Sequence, residues 1–178
     1  ADVCPNGSTV LKCGNASAGF CGICVPGTWA NGTICEPCSA GRVSTTENAV
    51  SCDNCTAGRF QDKEKKTACT GCPLGRMGPL LAAPDCATCP EGTYQNTTSQ
   101  THCRSCGAGK YNDQQGSTAE AACKDCAKGK YNDQSGKTAE DACTDCAAGK
   151  YNQEKGKDHC KDCDFHHYNE DVRSLSVN

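Results

Sequence analysis

Residues 123–151 read CKDCAKGKYNDQSGKTAEDACTDCAAGKY, and this stretch contains the repeat from which most of the chain is built. Two cysteines separated by two residues are followed by two more residues, by Gly, Lys and Tyr, and then by a polar loop that leads to the next cysteine pair. Variants of this repeat run from Cys21 to Tyr168. A period this short predicts a linear array of small repeats instead of one globular core.

Nine cysteine pairs define the repeat, and successive pairs begin 14, 17, 17, 17, 17, 20, 20 and 17 residues apart. The pairs are Cys21/Cys24, Cys35/Cys38, Cys52/Cys55, Cys69/Cys72, Cys86/Cys89, Cys103/Cys106, Cys123/Cys126, Cys143/Cys146 and Cys160/Cys163. Gly stands three residues after the second cysteine in eight of the nine repeats, and His166 replaces it in the ninth. A recurring Gly predicts a backbone with positive φ, or a close approach to a neighbouring strand.

A large side chain stands two positions after the recurring Gly and predicts one apolar plug per repeat, packed against the disulfides. The plug residues are Trp29, Val43, Phe60, Met77, Tyr94, Tyr111, Tyr131, Tyr151 and Tyr168. The short segments around them are expected to form strands of two or three residues. In GSTAEAA, Ser117 and Glu120 match a capping box and predict a single helical turn.

The composition of the 178 residues excludes several classes of protein. Only 36% of the residues are apolar, although this count includes 20 cysteines, which predicts a scaffold in which disulfides replace the hydrophobic core. Closing a loop of about 14 residues contributes roughly 3 kcal/mol per bridge by restricting the unfolded state. The net charge is −3 and the basic residues are scattered, so neither nucleic acid nor an anionic membrane surface is expected as a partner.

An extracellular location is predicted by the cysteines together with five N-x-S/T sequons, at Asn6, Asn15, Asn31, Asn54 and Asn96. N-linked glycans are therefore expected on the chain. The sequence contains no apolar run of about 18 residues, so insertion into a membrane is not expected. The sequence reads as a mature secreted product or as a fragment of a larger ectodomain.

Four segments are predicted along the chain. Residues 1–34 form an N-terminal cysteine-rich cap, residues 35–102 form four 17-residue repeats, residues 103–163 form two 20-residue repeats and one 17-residue repeat, and residues 164–178 form a C-terminal tail. The loop MGPLLAAPD, residues 77–85, is apolar where the neighbouring loops are polar. It either covers the plug of its own repeat or forms a partner-binding patch that includes Met77, Leu80 and Leu81.

The spacing C-x2-C-x13-C-x2-C also fits a zinc site with four thiolate ligands. The odd number of pairs, the absence of a basic recognition helix and the sequons favour disulfides instead. Since no Ser/His/Asp triad, paired carboxylates or Gly-rich phosphate loop is evident, we expect no enzyme, no cofactor and no metal site. His102 and His159 are interpreted as surface residues, and His166 and His167 are interpreted as part of a solvated tail, with a metal site as the alternative.

The repeats CPEGTYQNTTSQTHC, residues 89–103, and CAAGKYNQEKGKDHC, residues 146–160, resemble the first submodule of tumour-necrosis-factor-receptor cysteine-rich domains and the ephrin-receptor-like repeats found in tandem in many protist surface proteins. The second, interlocked submodule of those receptors has no counterpart in this sequence. The resemblance implies that the second cysteine of each pair is bridged to the first cysteine of the next. The implied bridges are Cys24–Cys35, Cys38–Cys52, Cys55–Cys69, Cys72–Cys86, Cys89–Cys103, Cys106–Cys123, Cys126–Cys143 and Cys146–Cys160.

The predicted fold class is a small disulfide-rich repeat protein, an elongated rod of tandem 14–20-residue repeats with short β-strands and turns and very little helix, in which each repeat bonds only to its sequence neighbours. The favoured function is a non-catalytic extracellular structural glycoprotein, a building block of a surface coat, filament or flagellar hair. A ligand-binding receptor or adhesin ectodomain is the alternative. The implied bridges leave Cys4, Cys13, Cys21 and Cys163 without assigned partners, so Cys163 is a possible contact to another copy of the chain or to another extracellular structural protein.

Overall fold

The computed structural model describes residues 23–31 and 34–163. Within these ranges the chain forms sixteen short strands and two 3-10 turns. The strands are β1 (Thr28–Asn31), β2 (Ile34–Pro37), β3 (Arg42–Val43), β4 (Asp53–Asn54), β5 (Arg59–Phe60), β6 (Thr70–Gly71), β7 (Arg76–Met77), β8 (Ala87–Thr88), β9 (Thr93–Tyr94), β10 (Arg104–Ser105), β11 (Lys110–Tyr111), β12 (Lys124–Asp125), β13 (Lys130–Tyr131), β14 (Thr144–Asp145), β15 (Lys150–Tyr151) and β16 (Lys161–Asp162). The 3-10 turns are Glu120–Ala122 and Glu140–Ala142.

Each odd-numbered strand pairs in antiparallel orientation with the strand that follows it, which gives eight separate two-stranded sheets in the described residues. The first strand of a pair carries the plug residue, and from β4 onward the second lies between the two cysteines of the next pair, whereas β2 also contains Cys35. Tyr111 in β11, for example, lies opposite Lys124 in β12. The prediction of very short strands with little helix is confirmed.

Eight disulfide bridges tie these hairpins together, and they join the pairs that the resemblance implies. The cysteine that opens each bridge is almost completely buried: Cys24, Cys38, Cys55, Cys72, Cys89, Cys106, Cys126 and Cys146. Below, each repeat takes the name of this opening cysteine. Bridged cysteines cannot serve as thiolate ligands, so the structure gives no support to zinc sites at these pairs.

The recurring Gly turns the chain between the opening cysteine and the plug strand. In the Cys106 repeat, Gly109 has φ +79° and the Lys110 amide donates to the Gly107 carbonyl at 3.2 Å. A four-residue turn with positive φ at its third residue requires Gly there. The expectation of positive φ is confirmed.

The described chain divides into two compact units. The first contains the residues up to Cys72 together with Gly78–Cys86, and the second contains Pro73–Met77 and the residues from Ala87 onward.

The prediction that each repeat contacts only its sequence neighbours is wrong. A Cβ atom on Gly92 would lie 2.2 Å from the carbonyl oxygen of Gly136, which is two repeats away along the chain. The same relation holds in the first compact unit between Gly41 and Ala82. The pitch of the stack is short enough for the loop of one repeat to reach the turn two repeats before it.

Two further expectations need correction. The prediction of a capping box is wrong. The residue before the Glu120–Ala122 turn is Ala119, which makes no side-chain cap, and the Ser117 hydroxyl forms hydrogen bonds within its own loop instead. The plug prediction holds best for Val43 and Tyr94, which are buried, and Tyr94 packs with the bridged pair Cys106 and Cys123. The other plug residues in the described chain are half-buried: Trp29, Phe60, Met77, Tyr111, Tyr131 and Tyr151.

Candidate functional site

Backbone hydrogen bonds fix each repeat to the next in a recurring pattern. The Gly92 amide donates to the Asn112 carbonyl at 2.7 Å, and the Asn112 amide donates to the Lys137 carbonyl at 2.9 Å. The Gly136 amide in turn donates to the Cys106 carbonyl at 2.8 Å. Equivalent bonds recur in both compact units, so successive repeats are joined by backbone groups as well as by the chain itself.

A residue in the left-handed conformation occurs in every loop from the Cys38 repeat to the Cys146 repeat, and in six of these seven loops its amide donates to the carbonyl of the cysteine that opens the preceding repeat. Its φ lies between 52° and 73°, and the residues are Asn48, Lys65, Ala82, Ser99, Gly116, Gly136 and Gly156. Four of the seven are not Gly, and three of these, Lys65, Ala82 and Ser99, carry side chains that disfavour this conformation, which Asn tolerates. The stacking contacts therefore impose the conformation on residues that do not adopt it readily.

The residue that follows the plug forms a column of buried polar side chains, which sequence reasoning missed. Asn112 is fully buried, and its Nδ2 donates to the Thr93 carbonyl and to Ser117 Oγ, both at 2.9 Å. Its Oδ1 accepts from the Gln114 amide at 3.1 Å. The other buried members of the column are Ser44, Gln61, Gln95, Asn132 and Asn152. The recurrence of Asn directly after Tyr is the signal that could have revealed this column.

Asparagine and glutamine act differently within this column. Asn132 and Asn152 donate to the carbonyls of Lys110 and Lys130, which belong to the preceding repeat. Gln95, whose side chain is longer, donates to the His102 carbonyl of its own repeat at 2.6 Å. Because a buried amide costs free energy unless it is hydrogen-bonded, the Asn side chains link repeats and the Gln side chains close loops.

A cross-strand ion pair between a lysine and an aspartate lies on each of the last three described hairpins. Lys110 Nζ lies 2.8 Å from Asp125 Oδ1, and the equivalent distance between Lys130 and Asp145 is 3.4 Å. Pairs with this degree of exposure contribute less than about 1 kcal/mol each. A hydrogen bond from Lys124 lowers the pKa of Asp113 below its ordinary value. These groups order the surface, but they do not form a reactive centre.

A cleft with a cavity of about 310 Å³ lies in the first compact unit. It is lined by Trp29, Glu36, Pro37, Ser39, Arg42, Ser51 and Cys52. Trp29 is the only tryptophan of the chain. The cleft thus places one aromatic surface beside hydroxyl, carboxylate and guanidinium groups.

The apolar loop places its two leucines in solvent. Leu80 and Leu81 are 69% and 64% exposed, while Met77 is half-buried and Ala83 is buried. The alanine, not the leucines, therefore covers the interior of this repeat.

Three of the five sequon asparagines lie in the described residues, Asn31, Asn54 and Asn96, and all three side chains are exposed. The other two residues of the Asn31 sequon, 32 and 33, lie outside the described residues. Asn6 and Asn15 lie outside the described residues. Exposure makes the three asparagines accessible for glycans.

Cys163 is unbridged and half-buried, and its amide donates to the Gly149 carbonyl at 2.9 Å. The opening cysteines make the same bond to the preceding Gly, as Cys146 does to Gly129. Cys163 is therefore positioned like an opening cysteine. Its suggested partners, Cys4, Cys13 and Cys21, lie outside the described residues.

No grouping of three His, Cys, Asp or Glu side chains in residues 23–31 and 34–163 could hold a metal ion. His102 and His159 are exposed, and His159 Nδ1 lies 2.6 Å from Asp158 Oδ1. His166 and His167 lie outside these ranges. No helix within the same ranges is long and apolar enough to cross a membrane.

The hairpins, the bridges and the hydrogen-bonded stacking define a tandem disulfide-rich repeat protein. Residues 41–85 and 81–123 match the family described as tyrosine-protein kinase ephrin type A/B receptor-like. The repeats of this chain thus resemble ephrin-receptor-like repeats, as the motifs predict. A search of curated proteins finds no significant match to the chain. The match to this family, together with the many disulfides, suggests a non-catalytic module that is extracellular or at the cell surface.

Proposed function

We propose that this chain is an extracellular structural glycoprotein, a building block of a surface coat, filament or flagellar hair. One observation carries the proposal: backbone hydrogen bonds and a disulfide recur in nearly every described repeat, so that each repeat is fixed to its neighbours by the same contacts. Stability of this kind is built from repeat and interface contributions and needs no ligand.

The chemistry of the repeats supports a mechanical role. A protease must bind its substrate as an extended segment. Loops that are closed by a disulfide within 11 to 17 residues offer few segments that could extend in this way. The buried amides remove a further route to local opening, since unfolding a loop leaves their partners unsatisfied. The partners of such a protein are other copies of the chain or other extracellular structural proteins, together with N-linked glycans.

A receptor or adhesin ectodomain is the second candidate, and the exposed side chains of Leu80 and Leu81 favour it. The two adjacent leucines form a small exposed apolar patch, and such patches can mark protein contacts. This contact would use one repeat, whereas the structural role uses the whole array.

Electron microscopy of the native material, labelled with antibodies against the chain, distinguishes the two roles. The structural role predicts label along filaments or a continuous coat. Dispersed label on a smooth surface contradicts it and supports the receptor.

A matched pair of variants tests the receptor role directly. Replacing both Leu80 and Leu81 by Ser removes the exposed apolar contact, while Val50→Ser removes an isolated side chain that is 80% exposed. Loss of cell-surface binding only in the double variant, with unchanged thermal unfolding, would establish the receptor role. Equal behaviour of both variants in assembly and in binding favours the structural role.

A further inference from the structure

The hairpin formed by β1 and β2 presents the asparagine of a sequon and an aromatic ring on one face. Trp29 and Asn31 are two residues apart in β1, so their side chains point to the same face of the hairpin. Glu36 lies directly opposite Trp29 in the register of the two strands. Trp29, Asn31 and Glu36 therefore share one surface.

A hydrogen bond connects the sequon to the cleft. Asn31 Nδ2 donates to Glu36 Oε1 at 2.9 Å, and Glu36 lines the same cleft as Trp29 and Arg42. Asn31 itself is exposed, whereas Trp29 is half-buried. The nitrogen atom that would carry a glycan is thus held at the rim of a cleft that contains the aromatic ring.

We propose that the first sugar of an N-linked glycan on Asn31 packs against the ring of Trp29 and occupies this cleft. The inference rests on the proposed glycoprotein character of the chain. The C–H groups of a pyranose ring form an apolar face that suits an aromatic surface. The hydroxyl and acetamido groups of the sugar can bond to Glu36, Arg42 and Ser39, which the cleft supplies.

The attachment is chemically consistent with this geometry. Transfer from a lipid-diphosphate-linked oligosaccharide forms a bond between Asn31 Nδ2 and the anomeric carbon of the first sugar. The bond between that carbon and the diphosphate oxygen breaks, and the lipid diphosphate leaves with the proton that Nδ2 gives up. One N–H remains on Nδ2, and it can keep the hydrogen bond to Glu36 that holds the sugar over the cleft.

The single tryptophan makes the contact measurable. The chain, secreted from a host that adds N-glycans, is compared with Thr33→Ala, which destroys the sequon of Asn31 but keeps the asparagine. Thr98→Ala, which destroys the sequon of Asn96, is the matched control. We expect Thr33→Ala alone to shift the emission of Trp29 to longer wavelength and to increase its quenching by acrylamide, because the sugar no longer covers the ring.

Trimming with an endoglycosidase that leaves only the first sugar tests which part of the glycan is responsible. The emission of Trp29 should stay as in the untrimmed chain, since the first sugar makes the contact. A second measurement uses stability: the fall in thermal midpoint that Thr33→Ala causes should shrink when Trp29 is replaced by Ala.

Glycopeptide mass spectrometry separates the possible failures. A sugar on Asn31 with identical emission and quenching in the chain and in Thr33→Ala overturns the inference and leaves the glycoprotein proposal intact. Sugars at other sequons with none at Asn31 have the same consequence. A chain without sugar at any sequon overturns both the inference and the glycoprotein part of the proposed function.

Discussion

Replacing Asn112 by Ala should open one repeat of the stack. The side chain is fully buried and makes three hydrogen bonds, two donated to Thr93 and Ser117 and one accepted from Gln114. Each bond contributes a net of about 1 kcal/mol, so the loss should reach about 3 kcal/mol because no water replaces the amide at a closed site. Gln115→Ala, in the same loop but exposed, should change the stability by less than about 0.5 kcal/mol.

The equivalent position in the next repeat provides an internal scale. The Asn132 side chain makes two hydrogen bonds, at 3.2 and 3.1 Å, because Lys137 stands where the Cys106 repeat has Ser117. Asn132→Ala should therefore cost about 2 kcal/mol, less than Asn112→Ala.

Native-state hydrogen exchange with the disulfides intact is the suitable assay, since a repeat protein can open locally without unfolding as a whole. The Gly92 amide, which donates to the Asn112 carbonyl, reports on the affected repeat. Its opening free energy should fall by about 3 kcal/mol in Asn112→Ala and hardly at all in Gln115→Ala, whereas the Gly109 amide, which donates to the Asn132 carbonyl, should show the smaller loss of about 2 kcal/mol in Asn132→Ala. Equal protection in Asn112→Ala and Gln115→Ala would refute the view that buried amides hold the repeats together.

Three further predictions follow from the bridges, the turns and the surface charges. Thiol reagents should abolish the circular dichroism spectrum and the protease resistance of the chain, whereas EDTA should change neither, and the opposite pattern would restore the zinc interpretation. Gly109→Ala should lower the free energy of unfolding by more than about 2 kcal/mol, because φ is +79° and the new Cβ would meet the Gly156 carbonyl. Gly107→Ala should be nearly neutral, since no atom lies within 4 Å of the Cβ position at Gly107. Equal unfolding midpoints of the two variants would contradict this prediction. The hydrogen bond from Lys124 stabilises the ionised carboxylate of Asp113 and lowers its pKa. Asp113 therefore contributes stability at pH values above the ordinary aspartate pKa, and this contribution is lost as the pH falls through the lowered pKa. A carboxyl NMR titration should show the lowered pKa in the unmodified chain and an ordinary one in Lys124→Ala.

The sequence predicts the local architecture well because each local feature has a local cause. A turn with positive φ needs Gly, as Gly109 shows, and a cysteine pair every 14 to 20 residues leaves few stable ways to close the loops. The short strands follow from the same spacing, since only two residues separate one turn from the next loop. The cleft beside Trp29 could not be predicted, because it needs the register of β1 and β2 and the position of the following loop.

Features that depend on the pitch of the stack are not encoded in any single repeat. The recurring Gly could be required either by positive φ or by a close approach, and the structure shows that both reasons apply at Gly41, where the carbonyl of Ala82 leaves no room for a Cβ atom. Ala82 belongs to a repeat two positions later, and its own left-handed conformation exists because its amide donates to the Cys55 carbonyl of the intervening repeat. Three repeats must therefore be in place before this contact forms. In the later loops the requirement is visible as Gly116, Gly136 and Gly156, but in the earlier loops it is met by Asn, Lys, Ala and Ser. A residue whose conformation is imposed by stacking carries no signal of its own, which is why contacts across two repeats were not predicted from the sequence.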